Sequence, residues 1–125
     1  MNQMLAVAIG GAIGAMGRYW IVGLVSQWFG RGFPYGTLAV NIAGSILIGL
    51  LYTVVVQQLK LEPHWQAILM AGFTGAFTTF STFALESLNL FQSGRVTAAL
   101  LYIMLSVMCC LAAVAAGMWL GKQFT

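Results

Sequence analysis

Charge is what this chain has least of. Its 125 residues include five Lys or Arg, two acidic residues and one His, so only 6% are charged. A soluble domain of this length carries roughly a quarter charged residues, so water is not the main solvent here. Histidine and acid are too scarce for a metal cluster of side chains or a paired-carboxylate site. His64 stands alone in a loop with no nucleophile–base pair, and an enzyme is not expected. Cysteine is confined to the neighbours Cys109 and Cys110. Adjacent residues on a helix point in different directions, which argues against a mutual disulfide and favours small packing residues. The net charge of +3 forms no basic patch, so nucleic acid is not an expected partner.

Apolar sequence is what the chain has instead: 61% hydrophobic residues and a mean hydropathy of +0.94. A bilayer core about 30 Å thick takes about 20 apolar residues per helix. Four spans account for nearly the whole chain, at about residues 3–29, 34–57, 63–91 and 96–121, as a single membrane domain. Pro34 and Pro63 fall where spans begin, at the first-turn position that tolerates a missing N–H. The N-terminal stretch lacks a basic region and runs into further apolar sequence, so a cleaved signal peptide is not expected.

Orientation normally follows Lys and Arg, which stay on the cytoplasmic side. Four spans place Lys60 and Lys122 on one face and Arg31 and Arg95 on the other, which gives almost no bias. Such a chain could insert both ways and pair as an antiparallel homodimer. A single orientation set by the N-terminus or by Arg18 is the alternative. Small residues recur at packing spacing, as in Gly10 and Gly14, Ser45 and Gly49, and Ala113, Gly117 and Gly121. They let helix backbones approach closely in lipid.

Several polar residues lie inside the spans. Arg18, in GAIGAMGRYW, either snorkels to the interface or faces protein and water, and in both cases it favours an anion nearby. Asn41, in GTLAVNIAGS, is either an interhelical hydrogen-bonding group or a pore donor, with Thr37 four residues earlier on the same face. Tyr102 and Ser106 are also four apart and could form a hydroxyl track. Glu86 is the one acidic residue within a span, toward its end, where a solvated or paired role is expected.

The segment GFTGAFTTFSTF, residues 72–83, has four Phe and five hydroxyl residues but no Leu, Ile or Val. As a continuous helix it places Phe73, Phe77, Phe80 and Phe83 on one arc. Gly72, Gly75 and the Thr78–Thr79 pair all weaken a helix at this place, which favours a break near 75–79. A break would free carbonyls for a cation, and a half-helix starting near Phe80 would direct N–H groups toward an anion.

GGAIGAMGRYW, GTLAVNIAGSILIG and GFTGAFTTFSTFALE together resemble the Fluc (CrcB) family of bacterial fluoride channels, over nearly the whole chain. The resemblance implies an all-α membrane protein of four transmembrane helices with the third broken near its middle, paired as an antiparallel dual-topology homodimer. It implies passive fluoride efflux across the bacterial inner membrane. Phe80 and Phe83 would line the pores by their ring edges, with Asn41, Ser81, Thr82, Tyr102, Ser106, Thr37 and Arg18 along the path. A structural sodium ion would lie at the dimer interface on backbone carbonyls of Gly75 and Thr78. At the distal fourth-span positions this chain has Cys110 and Val114 rather than polar residues.

Two rivals remain at this level. A small proton-coupled exporter of the multidrug-resistance type shares four spans and dual topology, but it needs a carboxylate in the first span, which is absent. A non-transporting subunit would use the small-residue motifs only for docking.

Overall fold

The computed structural model describes residues 2–124. Among them are four helices long and apolar enough to cross a membrane: α1 (Gln3–Phe29), α2 (Tyr35–Gln58), α3 (Pro63–Gln92) and α4 (Val96–Lys122). Asn2 caps α1, its side-chain oxygen accepting from the Met4 N–H at 2.7 Å. Gly30 (φ 83°) ends α1 and Gly94 (φ 81°) follows α3, both left-handed positions that suit a residue without Cβ. Pro63 occupies the first turn of α3, but Pro34 sits one residue ahead of α2 with φ −79° and ψ 64°, outside the helix it was expected to open. Both α2 and α3 contain a π-helical stretch, Tyr52–Gln58 and Ala67–Thr74, on the two sides of the 59–62 connection.

The bundle is built from two close pairs, α2 against α4 and α1 against the first half of α3. Glycine makes both possible. A Cβ on Gly117 would strike the Ile46 carbonyl, and one on Gly49 would strike the Val114 carbonyl. Gly10 and Gly14 meet the Ile68 and Phe73 carbonyls in the same way. Hydrophobicity cannot drive association in lipid, so this backbone-to-backbone approach supplies the packing.

Large apolar side chains mostly point outward. Only 17–28% of each helix's apolar window is buried within the chain, which leaves the rest for lipid or for another chain. A compact cluster gathers at one end, where Phe83, Leu90, Ala99 and Tyr102 pack with Phe33, Leu38 and Ile103. That cluster positions the residues described next.

Candidate functional site

Helical geometry in α3 stops after Phe77 and resumes at Phe80. Thr78 (φ −91°, ψ 159°) and Thr79 (φ −150°, ψ 123°) are extended. Gly75 keeps helical dihedrals of −62° and −37°, so the non-helical residues are narrower than 75–79. Backbone outside a helix at membrane depth needs its polar groups satisfied by protein. Asn41 does this for Thr79, its Oδ1 accepting the Thr79 N–H at 2.8 Å while its Nδ2 donates to the Thr79 carbonyl at 3.0 Å. In a continuous helix that N–H would serve the Gly75 carbonyl. Arg18 donates from Nε to the Ala76 carbonyl at 3.0 Å, and the Thr78 hydroxyl donates to the Thr74 carbonyl at 3.0 Å. Thr79 then caps the next helical stretch, its hydroxyl accepting from the Thr82 N–H at 3.2 Å. Gly44 completes the arrangement, since a Cβ there would collide with the Thr78 methyl.

One cleft adjoins this segment, and a second opens near the α3–α4 turn. The first, about 450 Å³, is walled by Asn41, Gly75, Thr78, Phe80, Phe83 and Ser106. Beyond Ser106 its α4 wall is Val107, Cys110, Leu111 and Val114, so polar lining on that helix stops at Ser106. The second cleft, about 460 Å³, holds Thr37 and Glu86. Tyr102 touches the lining of both. Its ring packs on Phe83 at 5.2 Å, and its hydroxyl donates to Glu86 Oε1 at 2.9 Å. Phe33 closes on the same ring edge-on at 5.5 Å and 82°. The buried Thr53 hydroxyl, away from both clefts, has no hydrogen-bond partner in the protein, and neither do those of Thr37 and Ser106 on the cleft walls. A buried hydroxyl without a partner costs about 1–3 kcal/mol, so these two ask for a ligand or water.

The expected aromatic arc does not continue through the segment. Phe73 and Phe77 stack at 5.7 Å and 10°, while Phe80 and Phe83 form a separate tilted pair at 5.5 Å and 56°. The two extended residues between them reset the rotation that a continuous helix would have kept. Phe80 is 78% exposed and Phe83 only 8%. Gly75 and Ser81 are exposed, Thr82 is half-buried, and the Ser81 hydroxyl lies 3.4 Å from that of Thr79. Arg18 is directed into the bundle rather than snorkelling, because the Ala76 carbonyl takes its Nε–H.

The sequence is read above as marking Thr79 as a weak helix former but not as a cap, and it gives no sign of the Ala76 carbonyl. The cap had a signal, a hydroxyl residue directly before an apolar run, which is an N-cap position. Ala76 had none, because it contributes only a carbonyl.

Among the described residues no three His, Cys, Asp or Glu side chains gather as metal ligands. A cation here would need backbone oxygen. The Gly75 carbonyl fits that donor type, since Asn41 takes the N–H that would otherwise cover it and Gly75 is exposed on the cleft wall.

Residues 5–118 match the family described as "CrcB-like protein, Camphor Resistance (CrcB)". A protein of Hahella chejuensis named "Fluoride-specific ion channel FluC" is 50% identical over 120 residues, covering 96% of this chain and 94% of the relative. One of the same name from Magnetococcus marinus is 47% identical over 120 residues, covering 96% and 98%. A third, from Methylococcus capsulatus, is 45% identical over 121 residues, covering 97% of this chain. The chain spans about half the length of that third relative, 53%.

Proposed function

The chain belongs to the CrcB-like protein family, and from that premise we infer that it is a fluoride-specific channel, a multi-pass membrane protein that lets fluoride leave passively. The observation that carries this reading is the buried pair of unpartnered hydroxyls, Thr37 and Ser106, set around Tyr102 in the same bundle that presents Phe80 and Phe83. Fluoride is small and strongly hydrated, so donors must replace its water without holding it tightly. Thr37 and Ser106 can each donate one hydrogen bond. Asn41 has a second amide hydrogen that Thr79 does not use, and it lies on the first cleft's wall. The phenyl edges of Phe80 and Phe83 add positive quadrupole that an anion can approach. The N–H groups opening the helix at Phe80 and the guanidinium of Arg18 bias the surroundings toward negative charge. Ser81 and Thr82 supply hydroxyls in that same first turn.

The exposed face supports a finer proposal. Gly75, Phe80 and Ser81 are open on one protomer, and a second copy in the opposite orientation is the proposed cover. The balance of Lys60 and Lys122 against Arg31 and Arg95 supports such an antiparallel homodimer. The interruption at Thr78 and Thr79 is the proposed functional break of the third helix. A structural sodium ion at the dimer interface would be held by the carbonyls of Gly75 and Thr78 from both copies and would tie the two breaks together. The bacterial inner membrane is the proposed location.

The proton-coupled exporter reading is not favoured. Glu86, the carboxylate it would need, is engaged by Tyr102. Fluoride efflux from liposomes with no proton gradient tests the choice: flux that persists supports a channel, and flux that needs the gradient supports an exporter.

A further inference from the structure

The second cleft contains more than the proposed path requires. Besides Thr37 and Glu86 it is walled by Arg31, Arg95, Asn89 and Ser93, which gathers two of the chain's five cations around about 460 Å³. Arg95 stands directly before α4, and its Nη1 donates to the Gly32 carbonyl, so the start of α4 and the loop after α1 are joined there. That bond uses one of five guanidinium donors and leaves the charge uncompensated. Among the described residues Glu62 lies 3.2 Å from His64, and no carboxylate pairs with Arg31 or Arg95. Glu86 faces the same cleft but shares its Oε1 with Tyr102. On its wall lies Thr37, 1% exposed, its hydroxyl beside that of Tyr102 and outside regular hydrogen-bond geometry with it.

We infer that this cleft is an anion-loading site, in which Arg31 and Arg95 outweigh the charge of Glu86 and hand a small anion to Thr37 at the head of the path. It rests on the fluoride-channel reading and adds to it a reason for both arginines beyond their effect on insertion. A carboxylate beside an anion path would repel the ion. Two guanidinia reverse the sign of the field without stripping the ion's water, because they are weakly hydrated donors on the rim of an open cleft. The loss of water is left to the enclosed hydroxyls deeper in.

The test uses purified full-length protein in liposomes with fluoride as the permeant anion. The double variant R31Q/R95Q is compared with R31K/R95K and with the unaltered chain. Ionic strength is set at about 0.01 M and then raised to about 1 M with sodium gluconate, which shortens the screening length from about 30 Å to about 3 Å. The glutamine variant is expected to lose about tenfold of the initial fluoride flux at low ionic strength and to come within about twofold at high ionic strength. The lysine variant should keep most of the low-salt flux. Equal flux in all three proteins at low ionic strength overturns the loading site. A deficit of the same size at both ionic strengths also overturns it, because it marks a structural role. If the unaltered chain carries no fluoride, the channel reading itself fails, and the inference falls with it.

Discussion

The side-chain amide of Asn41 is bonded at both ends to the main chain of a single residue, Thr79, at 2.8 and 3.0 Å. One group on α2 thus replaces the helical partner that the Thr79 N–H gives up and adds a donor to the Thr79 carbonyl. The two residues are 38 apart in sequence, so the extended segment depends on how α2 docks against α3.

Asn41→Ala leaves the Thr79 N–H without a protein partner, while the Thr79 carbonyl, at the N-cap, keeps the first bond of the following helix. Each unsatisfied buried group costs about 1–3 kcal/mol, so the variant should unfold at clearly lower temperature in detergent and lose fluoride flux. Asn41→Asp keeps the acceptor but loses the donor, and should fall between. An unchanged Tm for Asn41→Ala would show that water or lipid replaces the clamp.

Phe80 and Phe83 should separate function from stability. Phe80 is 78% exposed, so Phe80→Ile is expected to leave the stability of the single chain nearly unchanged while fluoride flux drops sharply. Phe83 is buried against Tyr102, so Phe83→Ile should lower both. Flux assays beside thermal melts of the same samples check this, and full flux in both variants would remove the rings from the path.

Glu86→Gln distinguishes conduction from proton coupling. The amide can still accept the Tyr102 hydrogen bond, so the fold should persist and fluoride should still leave without a proton gradient. Complete loss of transport only when a gradient drives it would point back to an exporter.

Gly117→Val introduces bulk where the α4 backbone meets the Ile46 carbonyl. Overpacking of this kind costs about 1–3 kcal/mol, and here it forces α2 from α4. The expected result is poor yield of folded protein on size-exclusion chromatography, with Gly23→Ala, which meets nothing nearby, behaving as the unaltered chain.

Replacing sodium by N-methylglucamine on both sides of the membrane tests the proposed cation. Loss of flux together with a rise of monomer in detergent is expected if carbonyls of Gly75 and Thr78 share an ion between copies. Unchanged flux and assembly would take sodium out of the proposal.

Much of this was legible in the sequence, and the rest was hidden for physical reasons. Hydropathy marks the four spans because lipid penalises polar residues over about 20 positions at once. Weak helix formers at Gly72, Gly75, Thr78 and Thr79 mark where α3 is fragile. They cannot tell which residues leave the helix, since that is decided by Asn41 and Arg18 from other helices. The Tyr102–Glu86 bond crosses the α3–α4 turn, and neither residue type announces it. The sequence leaves Arg18 two roles, and the Ala76 carbonyl decides between them by taking its Nε–H. The meeting of Arg31, Arg95 and Thr37 in one cleft depends on loop packing that no periodicity encodes.

The most direct measurement is anion efflux from liposomes containing only this protein, loaded in parallel with fluoride or with chloride, with the counter-cation's charge shunted by valinomycin. Fluoride should empty from protein-bearing vesicles while chloride is retained. Equal efflux of both anions, or none of either, would contradict a fluoride-specific path.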